Sequence, residues 1–148
     1  MPLVLQPYSL LHLNTNWYIM SQRLYSVAEA NAVLPYVRGL VQQMLVARSD
    51  IIQLQPELWP AVERAVFNGG SKSLSEASRH IVQIQSAIYA LQALNILVKD
   101  INTGLIDFPA ERDGQLVLLC WQYDEPSVQF WHDVDTGFAG RQRIDDSF

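Results

Sequence analysis

The sequence predicts an α+β protein: a long antiparallel helical hairpin with a short helical insert, capped by a small antiparallel sheet of about three strands. Three observations predict it. Apolar residues recur at alternating threes and fours across residues 26–103, which is the period of a helix with one buried face. A proline–glycine interruption between Pro56 and Gly70 divides that stretch in two. After Gly104 the period drops to two, with Asp113-Gly114 as a tight-turn signal between runs rich in Val and Leu.

The chain has 148 residues, 49% of them hydrophobic and 17% charged, which suits one packed domain. Residues 1–19 (MPLVLQPYSLLHLNTNWYI) carry no acidic or basic side chain other than His12. They lack the basic start of a signal peptide, and Pro2, Pro7, Asn14 and Asn16 interrupt any membrane-length run. They are expected to be a loosely held extension, with Met20 as a natural start; a strand at Leu3–Leu5 packed on the domain is the alternative. Residues 20–148 are then a single domain, with the hairpin at 26–103 and the sheet cap at 104–143.

The net charge is −5, but residues 1–99 carry +2 and residues 100–148 carry −7. An acidic cap repels phosphate backbones, and no basic run elsewhere restores attraction, so nucleic-acid binding is not expected, nor is membrane insertion. The single cysteine, Cys120, cannot form an internal disulfide, which points to a cytoplasmic protein.

In chain order, Ser26-Val-Ala-Glu29 is a capping box. Val27, Ala30, Leu34, Val37, Val41, Met44 and Ile51 continue it as a helix, with a kink or restart expected at Asn31–Leu34 before Pro35. Gln55-Pro56 should end this helix near Leu54, because the residue before proline is pushed out of the α region. A short helix over Glu57–Phe67 follows, stopped by Asn68-Gly69-Gly70. Ser73-Leu-Ser-Glu76 reads as a second capping box, opening a coiled-coil-like seam through Leu74, Ala77, Ile81, Ile84, Ile88, Leu91, Asn95 and Val98. That helix should reach Asn102, with Gly104 as its left-handed cap. Asn95 in the seam is expected to fix register or oligomeric state. Strands at Leu105–Phe108, Gln115–Gln122 and Val128–Val134 follow. Thr136–Arg141 is a loop, and Ile144–Phe148 a tail expected to fray.

The unusual side chains concentrate in the cap and are expected to share one neighbourhood. Cys120, His132 and Asp133 contain a thiol, a base and an orienting acid. If Tyr123 stands opposite Val128, Cys120 faces Trp131 while His132 faces Leu119 across the sheet; a register one residue different pairs Cys120 with His132 directly. A lone buried cysteine is more often a small apolar group, and no nucleophile signature surrounds it. His132 and Asp133, with Asp135 and with Cys120 or Asp107, offer nitrogen, oxygen and sulfur donors for a divalent transition metal. A calcium loop starting at Asp133 fails, because Phe138 stands where glycine is needed and Ile144 where glutamate is needed. Arg112, Arg141 and the glycine loop could hold an anion beside Trp121 or Trp131. With ten carboxylates nearby, an internal ion pair, Arg141 with Asp107 or Arg112 with Glu125, is the expected use of those arginines.

Four stretches, YSVAEANAVLPYVRGLV, GLIDFPA, LLCWQYDEPSVQFWHD and DTGFAGR, together resemble a small bacterial family known as domain of unknown function 2203, over residues 24–143. The family's motifs fall here on Asp107, Arg112, Cys120, Trp121, Glu125, Pro126, Trp131, His132, Asp133, Gly137 and Arg141. The resemblance implies no activity, since the family has none established. The expectation from the residues is a non-enzymatic interaction or scaffold module, a homodimer through its helices and able to engage a protein partner. The alternative is a metal- or anion-dependent enzyme or binding protein with its site in the cap.

Overall fold

The computed structural model describes residues 23–68 and 71–148. The expectations for the N-terminal extension, the strand at Leu3–Leu5, the start at Met20 and the Gly69-Gly70 stop lie outside the described residues. The architecture is the predicted α+β one, with two helices followed by a five-stranded antiparallel sheet.

Helix α1 spans Val27–Asn68. The Ser26 capping box forms as expected: Ser26 N donates to Glu29 Oε2 at 2.8 Å and Glu29 N to Ser26 Oγ at 3.2 Å. The break at Gln55-Pro56 does not occur, and the separate helix at Glu57–Phe67 is part of α1, which runs unbroken through Pro35, Pro56 and Pro60. Each interior proline costs about 3 kcal/mol of helix propensity. Tertiary packing overrides that cost: Val37, Val41, Met44, Ala47 and Ala61 are fully buried along one face of α1.

Helix α2 spans Lys72–Ala93 and is capped by Ser71, two residues before the expected Ser73, through Leu74 N to Ser71 Oγ at 3.1 Å. It also stops earlier than the heptad pattern implied. Asn95 takes φ 59°, and Ile96 N closes back on Leu91 O at 3.0 Å, a left-handed helix end that asparagine tolerates. The Asn95 amide then donates to Arg23 O at 2.7 Å, so this residue terminates a helix instead of sitting in a seam. The chain leaves the helix there because Ile96 buries completely in the core while the next four residues pair with a strand.

Those residues form β1 (Leu97–Asp100), followed by β2 (Leu105–Arg112), β3 (Gln115–Trp121), β4 (Phe130–Asp133) and β5 (Gln142–Arg143), in the spatial order β1-β2-β3-β4-β5. The sheet therefore has two more strands than the alternation alone predicted, one at each edge. Gly104 is left-handed as expected (φ 68°) but serves the β1–β2 turn; a Cβ there would lie 2.7 Å from Val41 Cγ1 and 2.9 Å from the Tyr123 Cβ. The expected fraying of the tail is also overturned. Ile144 N donates to Gln129 O at 2.8 Å, and the Phe148 ring lies 5.9 Å from that of Trp131.

The inner face of the sheet (Ile106, Phe108, Ala110, Val117, Leu119, Trp121, Trp131) packs on Leu34, Val37, Val41, Met44 and Leu91 of the helices as one apolar core. Strand alternation turns Asp107, Pro109, Leu118, Cys120 and His132 to the opposite face. Two small devices on α1 hold the β3–β4 connection to this core. Arg38 donates to the carbonyls of Tyr123 (2.9 Å), Glu125 (2.9 Å) and Pro126 (3.2 Å) and lies over the Trp121 ring. Asn31 Oδ1 accepts from Val128 N at 2.9 Å.

Candidate metal centre

The site begins with a turn. Asp113 (φ 52°) and Gly114 (φ 77°) are both left-handed, the geometry of a two-residue hairpin, and they set Arg112 opposite Gln115. Counting back along both strands puts Asp107 directly opposite Cys120. On the other side, β4 pairs with Cys120 facing Phe130 and His132 facing Leu118.

Neither register considered from the sequence is the one observed. The β3–β4 connection is a loop shaped by its own contacts, so no tight turn dictates the pairing: Gln122 N donates to Glu125 Oε2 and Trp121 Nε1 to Glu125 O. The result is that Cys120 and His132 share the outer face as diagonal neighbours, and Asp107 joins them.

These three side chains form one buried cluster. Asp107 and His132 are each 1% exposed and Cys120 is 0% exposed. One donor atom from each lies within 4.8 Å of the other two. His132 Nε2 is 3.1 Å from Asp107 Oδ2, and His132 Nδ1 is 2.8 Å from the Asp133 carbonyl. A carbonyl oxygen can only accept, so Nδ1 carries a hydrogen and donates it. The Nε2···Oδ2 contact then needs one proton between its two atoms, held by the imidazole or by the carboxylic acid. The other carboxylate oxygen, Asp107 Oδ1, is buried with no hydrogen-bond partner.

Burial raises the Asp107 pKa, opposed in part by His132, by a hydrogen bond from the Cys120 thiol and by the charge of Lys99. Burial, reinforced by the nearby Asp107 carboxylate, pushes the Cys120 thiol up to about 12. A thiol held there is not a nucleophile at neutral pH. Both nitrogens of His132 are engaged elsewhere, so no cysteine–histidine dyad is formed.

The same atoms suit a metal ion. Nitrogen, oxygen and sulfur are the donors of zinc-class sites. A histidine that binds through one nitrogen while the other N–H is fixed on a carbonyl is the usual outer support of such a ligand. Metal–ligand bonds of about 2.0–2.3 Å place tetrahedral donors roughly 3.3–3.5 Å apart for one sulfur and two nitrogen or oxygen donors, so the widest pair here would close by at most about 1.5 Å. With a thiolate and a carboxylate, a divalent ion would leave the buried cluster neutral.

The other candidate residues lie around this cluster or on the opposite face. Asp133 contributes its backbone carbonyl, while its side chain is exposed, as is that of Asp135. Arg141 pairs with Glu125 through two 2.7 Å contacts and reaches Cys120 O at 3.2 Å. An internal ion pair therefore exists, but it joins neither Arg141 with Asp107 nor Arg112 with Glu125. Arg112 lies over the rings of Trp131 and Phe148 and donates to Ser147. Trp121 and Trp131 point into the core, so the unusual side chains divide between two faces of the sheet and do not share one neighbourhood. Sequence reasoning missed Arg38 and Asn31, whose contacts cross to the loop from nearly a hundred residues away. It could have found the Asp107–Cys120 pair, which follows from the Asp113-Gly114 turn.

Fold and cluster together define a class: an α+β protein in which a helical hairpin backs a five-stranded sheet that buries an Asp–Cys–His donor set. The chain belongs to the family described as "Uncharacterized conserved protein (DUF2203)", whose profile matches residues 23–144. No curated protein and no solved structure matches it. No helix among the described residues is long and apolar enough to cross a membrane.

Proposed function

We propose that this chain is a cytoplasmic transition-metal-binding protein that holds a zinc-class divalent ion through Asp107 Oδ1 or Oδ2, Cys120 Sγ and His132 Nε2. The observation that carries this reading is the buried Asp107 carboxylate. Its Oδ1 has no strong donor, only the weak thiol of Cys120 beside the carboxylate, and the carboxylate, thiol and imidazole lie within coordination range of one another. A thiol is a weak donor, so the buried carboxylate is under-compensated in a way that a metal ion would remedy. Three protein donors would leave a fourth tetrahedral position to be completed by water or another group. Elemental analysis of protein purified without a histidine tag tests the reading. One equivalent of zinc, nickel or iron per chain, lost in His132→Ala, supports it; a metal-free protein that takes up none on reconstitution refutes it.

A second reading concerns assembly. Ile52, Trp59 (70% exposed) and Val62 on α1, with Ile81, Val82 and Tyr89 on α2, are exposed large apolar groups on the hairpin. Ile52, Trp59 and Val62 follow one heptad stripe, the spacing of a helix–helix seam. The reading is a homodimer in which two hairpins form a four-helix bundle, making the metal-binding sheet part of a self-associating interaction module. Sedimentation at micromolar concentration tests it, and a strict monomer contradicts it.

A further inference from the structure

A cleft of about 500 Å³ opens where β1, the last turns of α2 and the flank of the sheet meet. Its walls are aliphatic: Ile88, Leu97, Ile101, Leu118 and Val134. Two polar side chains reach it, Gln92 and Lys99, and among the described residues no carboxylate lines it. Lys99 is exposed and enters no ion pair among the described residues. Its neighbour Asp100 is turned to other work, accepting from Asn102 N at 2.8 Å and Thr103 Oγ1 at 3.1 Å. The cleft therefore offers an apolar trough with one cation at its edge, a lysine that makes no ion pair among the described residues and feels only the more distant, buried Asp107.

We infer that this cleft binds small monocarboxylates with a short aliphatic chain, the chain lying against Leu97, Leu118 and Val134 and the carboxylate meeting Lys99. A cationic ligand would meet the lysine's repulsion, and a dianion would have to desolvate a second charge with no partner beside it. An uncharged alkane would gain nothing from the exposed, hydrated ammonium. The size lies within the usual range for small-molecule sites, roughly 300–1,000 Å³. Position adds interest to the cleft: Leu97 is the cross-strand partner of Asp107, and Leu118 that of His132. A bound carboxylate would sit beside the donor cluster. The inference goes beyond the metal reading and does not require it.

The test is a titration of the full chain, treated with chelator so that its outcome is independent of the metal centre, followed by amide chemical shifts. Hexanoate should shift Ile101, Leu118 and Val134 saturably. Acetate should bind at least tenfold more weakly, and hexylamine should leave these amides unmoved. Lys99→Met should weaken hexanoate about threefold, and the exposed position of Lys99 keeps the fold out of question. Val134→Trp, which fills the trough, should abolish the shifts. Equal responses to hexanoate and hexylamine, unchanged affinity in Lys99→Met, or shifts confined to other regions would each overturn the inference.

Discussion

Metal binding at the Asp107–Cys120–His132 cluster should be pH-dependent, because Cys120 must lose its proton to coordinate. Cys120, with its pKa pushed up to about 12 by burial and by Asp107, is a thiol at pH 7. Removing its proton there costs about 7 kcal/mol, from some five pH units at 1.36 kcal/mol each. A metal ion that takes all three donors must expel the Cys120 proton, together with any proton shared between His132 Nε2 and Asp107 Oδ2. The logarithm of the apparent association constant should therefore rise by at least one per pH unit between about pH 6 and 8. Affinity then falls at least tenfold for each unit of acidification. Chelator competition across that range gives the slope. Calorimetry in buffers of different ionisation enthalpy gives the proton count independently. A slope of one is the Cys120 proton alone, and a slope of two adds the proton shared by Asp107 and His132. A slope near zero would refute the site.

Asp107→Asn separates fold from metal: the amide can donate to His132 Nε2 as a neutral acid would, so thermal stability at pH 7 should stay within about 1 kcal/mol or rise, while metal affinity drops at least a hundredfold. The sign follows from the raised Asp107 pKa, since ionising that buried acid destabilises the native state as pH climbs above the ordinary carboxylate value. Arg38→Ala removes three carbonyl contacts and the cover on Trp121, and should lower unfolding free energy by about 2 kcal/mol in urea titration. Gly104→Ala combines φ 68° with a Cβ 2.7 Å from Val41 Cγ1 and should cost about 3 kcal/mol or more. Trp59→Glu should convert a dimer into a monomer in sedimentation without lowering monomer stability, because Trp59 is 70% exposed within its own chain.

Much of this architecture was legible in the sequence, and the exceptions have physical causes. The Ser26 capping box and the change of period after Gly104 were local signals, and both are present in the structure. The run from Leu91 to Val98 misleads because apolar residues at helical spacing also suit a helix end followed by an edge strand; the left-handed Asn95 decides between them. Pro56 misleads because a local preference yields to burial of Ala61 in the hairpin. The candidate cluster was half legible. The Asp113-Gly114 turn determines the Asp107–Cys120 pairing, so that pair lay within reach. His132 depended on the register across a longer loop, which Arg38 and Asn31 anchor from a distant helix. No local pattern encodes that contact. The tryptophans and arginines drew attention by residue type, yet Trp121, Trp131, Arg112 and Arg141 act as packing and clamp residues in the fold.

Cobalt substitution tests the metal centre most directly, because Co²⁺ reports ligand type and geometry in one spectrum. One equivalent of Co²⁺ per chain is expected, with visible bands of tetrahedral strength and a sulfur-to-cobalt charge-transfer band that disappears in Cys120→Ser. Weak octahedral bands, or a charge-transfer band absent from the unmodified protein, would contradict it.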